Sequence, residues 1–349
     1  MQHPPLAAGW IDRPHLRHEM GDLPLESGEV LRDAFVSYVV HGDPARLRDG
    51  AILVNTAIGS THHRLDFLIG EGAALDTGRW CVLVVDALGN GLSSSPSNSV
   101  RQPGVLFPRI GIRDMVESQR RLLDHLGVDR LVAVVGASMG GMQAVQWAVS
   151  HPERMAALVA MVPMARSTRW SQLVNEMSRR ALFTDAACRQ PRARADAMRL
   201  WVPLTQLVMP RSPESVEGFG ADALRAWLDE RERQLAADGP DAFDWCRQTW
   251  AYDDHDVGST PGCGGDTARA LAQVRAAALV LAPRSDLYNP PFAARAMCEA
   301  MPNAHFVELP GDEGHASASG NAAAPTAVLR DAVGAFLRGV AGAPPPGGA

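Results

Sequence analysis

"VVGASMGGMQAVQWA", residues 134–148, begins with β-branched residues and ends in good helix formers. Between them lies one serine, Ser138, with Gly136, Ala137, Gly140 and Gly141 around it. The pattern Gly136-x-Ser138-x-Gly140 at a strand-to-helix junction predicts a sharp turn that holds the hydroxyl clear of a sheet. Larger neighbours would clash there, which is the physical reason for the small residues. The helix that follows aims its first backbone N–H groups and its positive dipole end at the same spot, where a developing oxyanion is stabilised. The stretch reads as a nucleophile elbow, with Met139 offering one oxyanion N–H.

On either side, short apolar runs alternate with helical patterns. "AILVNTAIG" (51–59), "WCVLVVDALG" (80–89), "LVAVVGAS" (131–138) and "AALVAMVP" (156–163) read as buried strands bounded by turn residues. "IRDMVESQRRLLDHLGV" carries Met115, Leu122, Leu123 and Leu126 near helical spacing and is stopped by Gly127. This alternation predicts an α/β fold, a mostly parallel sheet covered on both faces. From about 165 to 262 the text turns helical, as in "SQLVNEMSRRALF" and "ADALRAWLDERERQLAAD". Strands resume at "AAALVLAPRSD" (276–286) and "AHFVELPGD" (304–312), followed by the helix "AVLRDAVGAFLRG". We expect residues 1–164 and 263–340 to form one core, with 165–262 inserted as a helical lid rather than a separate domain, because the late strands need the early ones to complete a sheet. The tail 341–349 reads as disordered.

A serine hydroxyl is a weak nucleophile unless a base, itself held by an acid, takes its proton. With a nucleophile elbow the chain order is Ser, then Asp or Glu, then His. Of the downstream histidines, His151 suits the end of the elbow helix, His305 begins a strand, and His255 sits in the insertion. His315, in "GDEGHAS", follows a strand end and a glycine, where a loop can carry it over the serine. Asp286 ends the strand "LVLAPRSD" at the carboxyl edge where ligands bind in open α/β sheets. Asp312 and Glu313 are rivals, but they stand too near His315 in sequence to orient its ring easily. A second oxyanion N–H is expected from "NTAIGS", at Ala57; the alternative for that loop is a plain glycine turn.

Other candidates read more blandly. His62 and His63 are adjacent on a loop, and neighbouring side chains point apart, so we expect solvated residues and no metal. "GNGLSSS" lacks the lysine and spacing of a phosphate loop and reads as a turn below the site. Trp147, Trp201, Trp227, Trp245 and Trp250 read as core or lid packing. The net charge of -6 gives no basic field, which argues against nucleic acid and anionic membrane as partners. Cys81, Cys188, Cys246, Cys263 and Cys298 are odd in number and contain no C-x-x-C pair. That argues against a disulfide framework or zinc site and suits a reducing compartment. The N-terminal text has no basic region followed by an apolar run, and no stretch approaches the ~20 apolar residues needed to span a bilayer. A cytoplasmic protein is expected.

"GASMGGMQAVQWA", "IRDMVESQRRLLDHLG", "WSQLVNEMSRRAL", "DDHDVG" and "RSDLYNPP" together resemble the homoserine O-acetyltransferase family of the α/β-hydrolase superfamily, over residues from about 50 to 320. The resemblance implies an α/β-hydrolase fold with a helical lid and a homodimer paired through that lid. It implies ping-pong acyl transfer through Ser138, from acetyl-CoA as co-substrate to a small hydroxyl acceptor, with no bound cofactor. By position Ser138, Asp286 and His315 match the family's triad, and Ala57 and Met139 its oxyanion donors. Arg179, in "NEMSRR", matches an arginine for the acceptor's carboxylate; its other reading is a solvated charge on an amphipathic helix. Arg166 and Arg169 could meet the phosphates of CoA, against a plain solvated role. The chain also departs from the family: Ala316 stands where an Asp usually meets the acceptor's amino group, and "LWVPLTQLVMPRS" lacks the expected lid tyrosine. "NTAIGSTHH" replaces a loop that begins His-Ala-Leu, and "DALGNGLSSSPSN" resembles a branch labelled simply as hydrolases. A buried ammonium without a carboxylate partner costs of order several kcal/mol. The expected activity is therefore acyl transfer to a small hydroxyl acceptor, with an esterase or thioesterase that transfers to water as the alternative.

Overall fold

The computed structural model describes residues 3, 5–182 and 191–341, with side chains described outside 191–194 and 341. Cys188 and residues 342–349 of the expected tail lie outside the described residues. One eight-stranded sheet organises the chain. Its strands are β1 (Leu16–Pro24), β2 (Val30–His41), β3 (Ala51–Asn55), β4 (Cys81–Val85), β5 (Leu131–Ala137), β6 (Met155–Met161), β7 (Ala277–Pro283) and β8 (Ala304–Leu309). They lie in the order β1-β2-β4-β3-β5-β6-β7-β8. β1 and β2 pair antiparallel, β2 joins β4 antiparallel, and every pairing from β4 onward is parallel.

The six parallel strands stand where the apolar runs placed them. The first two lie outside the runs read as strands: β1 is mostly exposed and "LRHEMGDLP" shows no apolar run, whereas β2 is largely buried and "AFVSYVV" does carry one. Along the central strands successive residues enter opposite layers. Leu53, Val134, Leu158 and Val280 pack on one face, while Ile52, Val135, Val159 and Leu279 pack on the other. Both faces are covered, so neither alternate position is polar. Helices α1 (Ile112–Leu126) and α2 (Met139–Ser150) contribute Met115, Leu122, Met142 and Trp147 to the first face.

The stretch between β6 and β7 is largely helical among the described residues, and its longest helices are α3 (Arg169–Leu182), α4 (Pro191–Val202), α5 (Ala221–Asp238) and α6 (Ala242–Asp253). The segment leaves and rejoins the core at one place, where Ser167 N donates to His255 O and Val257 N to Ala165 O, both at 2.9 Å. α7 (Pro291–Ala300) and α8 (Ala323–Ala341) complete the fold, and Leu329, Val333 and Leu337 of α8 cover the second face of the sheet. Ala341, assigned to the tail by sequence, is the last residue of α8.

α6 fastens the helical segment to the core. Arg247 donates to the Phe107 and Val105 carbonyls, and Gln248 bridges Leu88 O and Gly59 N. The buried Asp244 carboxylate accepts from Ser97 N at 2.9 Å and from Ser97 Oγ at 2.5 Å.

The register Asn55↔Gly136↔Ala160↔Val280 aligns the strand ends. Ala57, Ser138 and Asp286 therefore leave the sheet along one carboxyl edge. The contact that sets this edge is backbone on backbone: a Cβ on Gly140 would lie 2.3 Å from Asn55 O, and one on Gly136 would lie 2.1 Å from Gly140 O. Gly140→Ala should lower the thermal midpoint by about 5 °C or more, through overpacking that nothing nearby can relieve. An unchanged midpoint in differential scanning fluorimetry would show that these backbones are not in firm contact.

Burial pushes the Asp244 carboxyl up to about 6, from an ordinary 3.8, against the lowering effect of its Ser97 hydrogen bonds. Between those two values the folded chain keeps a proton that the unfolded chain has lost. This contribution to stability is complete below about pH 4 and disappears as pH rises through about 6. Asp244→Asn stays neutral throughout, so its midpoint should exceed the wild type at pH 7 by the equivalent of at most about 3 kcal/mol. The two should converge at pH 4, as thermal melts across that range will test.

Candidate active site

Ser138 stands between β5 and α2 with φ 57° and ψ −124°, a conformation that an L-residue holds only when its surroundings impose it. The surroundings are explicit. Ser138 N donates to Met161 O, and Met142 N closes the first turn of α2 on Ser138 O, both at 2.9 Å. Val162, just beyond β6, is also at positive φ, 44°. Its N–H donates to Leu281 O at 2.7 Å and its carbonyl accepts from Asn289 Nδ2 at 2.6 Å.

His315 Nε2 lies 2.8 Å from Ser138 Oγ, and His315 Nδ1 lies 2.7 Å from Asp286 Oδ2. An ionised carboxylate only accepts, so Nδ1 carries the proton and Nε2 is free to accept from the serine hydroxyl. The other carboxylate oxygen, Oδ1, accepts from Tyr288 N and Asn289 N at 2.8 Å each. Ser138, Asp286 and His315 are all buried, at 2%, 5% and 6% exposure, so water does not compete for these bonds. The three residues picked from the sequence are thus brought together. Their rivals are not: the half-exposed Asp312 pairs with Arg284, and His305 is an exposed residue of β8. His151 caps α2, and His255 is buried where the helical segment rejoins the core.

Met139 is the first residue of α2 and Ala57 lies two residues past β3, both buried. The side chain of Gln143, one turn into α2, donates to Thr56 O at 3.0 Å. In a trans peptide the Ala57 N–H points opposite to the Thr56 carbonyl, so this bond sets the direction of that donor. Gln143 is in turn held by Gln119 Nε2 at 2.6 Å, and Gln119 Oε1 accepts from Trp147 Nε1 at 2.7 Å. The sequence offered "SMGGMQ" but not this task for Gln143, because the contact joins residues far apart in the chain.

Arg179 corrects one of its two sequence readings. It is not a solvated charge: its side chain is 9% exposed and pairs with Asp253 Oδ2 at 2.7 Å and Glu176 Oε2 at 3.0 Å. Burial raises the Asp253 carboxyl, while Asn175 and Arg179 act the other way. Asn175 Nδ2 donates to Asp253 Oδ1, Tyr288 O–H donates to Asn175 Oδ1, and the Tyr288 ring meets the His315 ring edge-on at 5.2 Å. Tyr252 stacks on Tyr288 at 5.1 Å, and burial lifts both phenols above their ordinary range. Neither tyrosine carries a local signature of this placement, and the 200–212 stretch, where the resemblance implies a lid tyrosine, has none. Ala316 N donates to Pro210 O at 2.6 Å, which ties the histidine loop to the helical segment. Arg166 and Arg169 are exposed. Trp147, Trp201 and Trp245 are buried as packing residues. Ser93 and Ser94 of "GNGLSSS" pin β2 through Ser37 N and Phe35 N.

His62 and His63 are a second correction. They are 1% and 4% exposed, not solvated. Their rings pack with centroids 4.3 Å apart, because the short helical turn His62–Leu68 folds both side chains inward.

Residues 51–321 match the family model described as the alpha/beta hydrolase fold, and the chain belongs to that family. Its relatives within the family include both carboxylic ester hydrolases and acyltransferases. An ethyl acetate hydrolase of Pseudomonas veronii is 31% identical over 316 residues, 85% of this chain and 87% of its own length. A homoserine O-acetyltransferase of Symbiobacterium thermophilum is 31% identical over 341 residues, 84% of this chain and 87% of its own. Among solved structures, the acetyl esterase MekB superposes with a TM-score of 0.85 at 29% identity, over 93% of this chain and 97% of its own. A homoserine O-acetyltransferase from Bacillus anthracis shares the fold, with a TM-score of 0.80 at 19% identity over the same shares of the two chains. Among the described residues no helix is long and apolar enough to cross a membrane.

Gln143→Leu removes the donor that orients the Thr56–Ala57 peptide. Labelling of Ser138 by an organophosphonate probe should slow about 10-fold, less than the loss of a whole oxyanion donor. A labelling rate equal to wild type would remove Gln143 from this role.

Proposed function

We propose that the chain is a serine carboxylic-ester hydrolase that cleaves esters of small acyl groups through an acyl enzyme on Ser138. The observation that carries the choice of water over an amino-acid acceptor is the state of Arg179. Its charge already faces two carboxylates, Asp253 and Glu176. Ala316, where the acetyltransferases usually place an Asp, gives an acceptor's ammonium no partner. A zwitterionic acceptor would leave a charge unmet in a buried site. Water and simple alcohols need neither group. The names of the ethyl acetate hydrolase and acetyl esterase relatives support the same chemistry.

In this reading Ser138 Oγ attacks the ester carbonyl as its proton passes to His315 Nε2. The tetrahedral oxyanion rests on the N–H groups of Ala57 and Met139. His315, its imidazolium held by Asp286, gives the proton to the departing alkoxide, and the alcohol leaves with the acyl group on Ser138. Water then yields a proton to Nε2 and attacks the acyl carbon. The second intermediate collapses, Ser138 recovers its proton, and the carboxylic acid is released.

A second reading is favoured by one atom: Arg179 Nη1 is buried without a hydrogen-bond partner. That donor suits the carboxylate of a hydroxyl acceptor, with acyl-CoA as the acyl source, and so keeps acyl transfer in view. A homodimer paired through the helical segment belongs to either reading. It is supported by Trp170, Leu173 and Met177, which leave an apolar stripe exposed along α3.

With p-nitrophenyl acetate, nitrophenol release should proceed at a rate independent of added homoserine or serine, and acetyl-CoA should be a poor donor. Acceptor-dependent release would overturn hydrolysis in favour of transfer. Ser138→Ala should lower turnover about 10⁴-fold or more, and retained turnover would remove the acyl-serine from both readings.

A further inference from the structure

Outside the Ser138 relay the molecule gathers imidazoles in one place. The N-terminal segment lays His3 and His15 against His62 and His63. The His3 ring stacks on His62 at 5.2 Å and meets His63 at 5.0 Å, while His15 packs edge-on against both His3 and His62. Trp10 stacks on the outer face of His63 at 4.3 Å, and Ile11 N donates to Asp66 Oδ2 at 2.8 Å. Ring packing accounts for burial. It does not account for where the nitrogens point.

His63 Nδ1 lies 2.6 Å from Asp66 Oδ2, and His62 Nδ1 lies 3.0 Å from Asp86 Oδ2. Each carboxylate requires its imidazole to carry a proton on Nδ1, which leaves Nε2 as the atom each ring can offer a metal ion. Asp86 is itself fully engaged, accepting from His62 N, Ser37 Oγ and Asn90 Nδ2, and so cannot turn away. A carboxylate behind each imidazole is the arrangement that fixes ligand tautomer and orientation around a metal ion. His63 Nε2 lies 3.1 Å from His3 Nε2. His62 Nε2 is buried and has no partner. One ring nitrogen from each of His3, His62 and His63 can be chosen so that all lie within 4.8 Å of one another. Nitrogens 2.0–2.1 Å from a tetrahedral zinc stand about 3.4 Å apart, so small side-chain rotations suffice.

We propose that His3, His62 and His63 form a binding site for a divalent transition-metal ion of the zinc class, with Asp66 and Asp86 orienting two of the ligands. Three neutral imidazoles favour such an ion over magnesium or calcium, which take oxygen ligands. The ion joins the N-terminal segment to the turn that follows Ala57, so its role is to brace the loop at the rim of the serine site. The proposal stands on this cluster alone and does not rest on the hydrolase reading.

Tag-free protein, stripped with a chelator and dialysed, is titrated with zinc(II) against a competing chromophoric indicator, and with cobalt(II) by its visible d–d spectrum. One equivalent should bind with a sub-micromolar Kd, and zinc should raise the thermal midpoint by several degrees. His3→Ala removes a ligand from a half-buried position, so the fold survives the change. It should weaken zinc about 100-fold, and Asp66→Asn about 10-fold. A Kd weaker than about 100 μM, or equal affinity in wild type and His3→Ala, would overturn the proposal and leave a cluster of packed histidine rings. Binding is read without any ester substrate, so this result is independent of the outcome for Ser138.

Discussion

Two backbones touch at the centre of this protein, and the site is built on that touch. The first turn of α2 lies so close to the end of β3 that Gly140 has no room for a Cβ beside Asn55 O. That closeness puts Ser138 and Ala57 on the same edge, and it forces Ser138 to φ 57°. Strain of this kind, of order 1–3 kcal/mol, persists only where the surroundings over-determine it. Here they do: hydrogen bonds from Ser138 N to Met161 O and from Met142 N to Ser138 O hold the turn from both sides.

The acid loop reinforces the same edge. Asp286 accepts from the Tyr288 and Asn289 N–H groups as well as from His315, and the Asn289 side chain reaches back to the strained Val162 carbonyl. One loop therefore sets the imidazole and secures the strand end next to the serine. The helical segment adds a polar path from Arg179 through Asp253, Asn175 and Tyr288 to the His315 ring. Buried networks of this kind are strong when every member is paired. The open Nη1 of Arg179 is the conspicuous exception, and it faces the question of acceptor chemistry directly.

What was legible in the chain had a local signature. The buried parallel strands show as apolar runs because both faces of the sheet are covered, and the elbow shows because its backbone contacts exclude side chains. Asp286 and His315 were legible from chain order and their places after strand ends. β1 was not, since an exposed edge strand has no apolar run to display. Tyr288 and Gln143 were not, since each acts through a partner 113 and 87 residues away.

Sequence alone therefore determined the fold class and picked out Ser138, Asp286 and His315, which the fold links by hydrogen bonds, because those depend on periodicity, small residues and order along the chain. Tertiary structure decided the pairing of Arg179 and the burial of His62 and His63. Neighbours in sequence were expected to point apart into water; a tight turn that carries its own carboxylate, Asp66, and a second carboxylate from Asp86, 24 residues on, turned them inward together. Burial and pairing are properties of what the rest of the chain brings alongside a residue, and no local pattern encodes them.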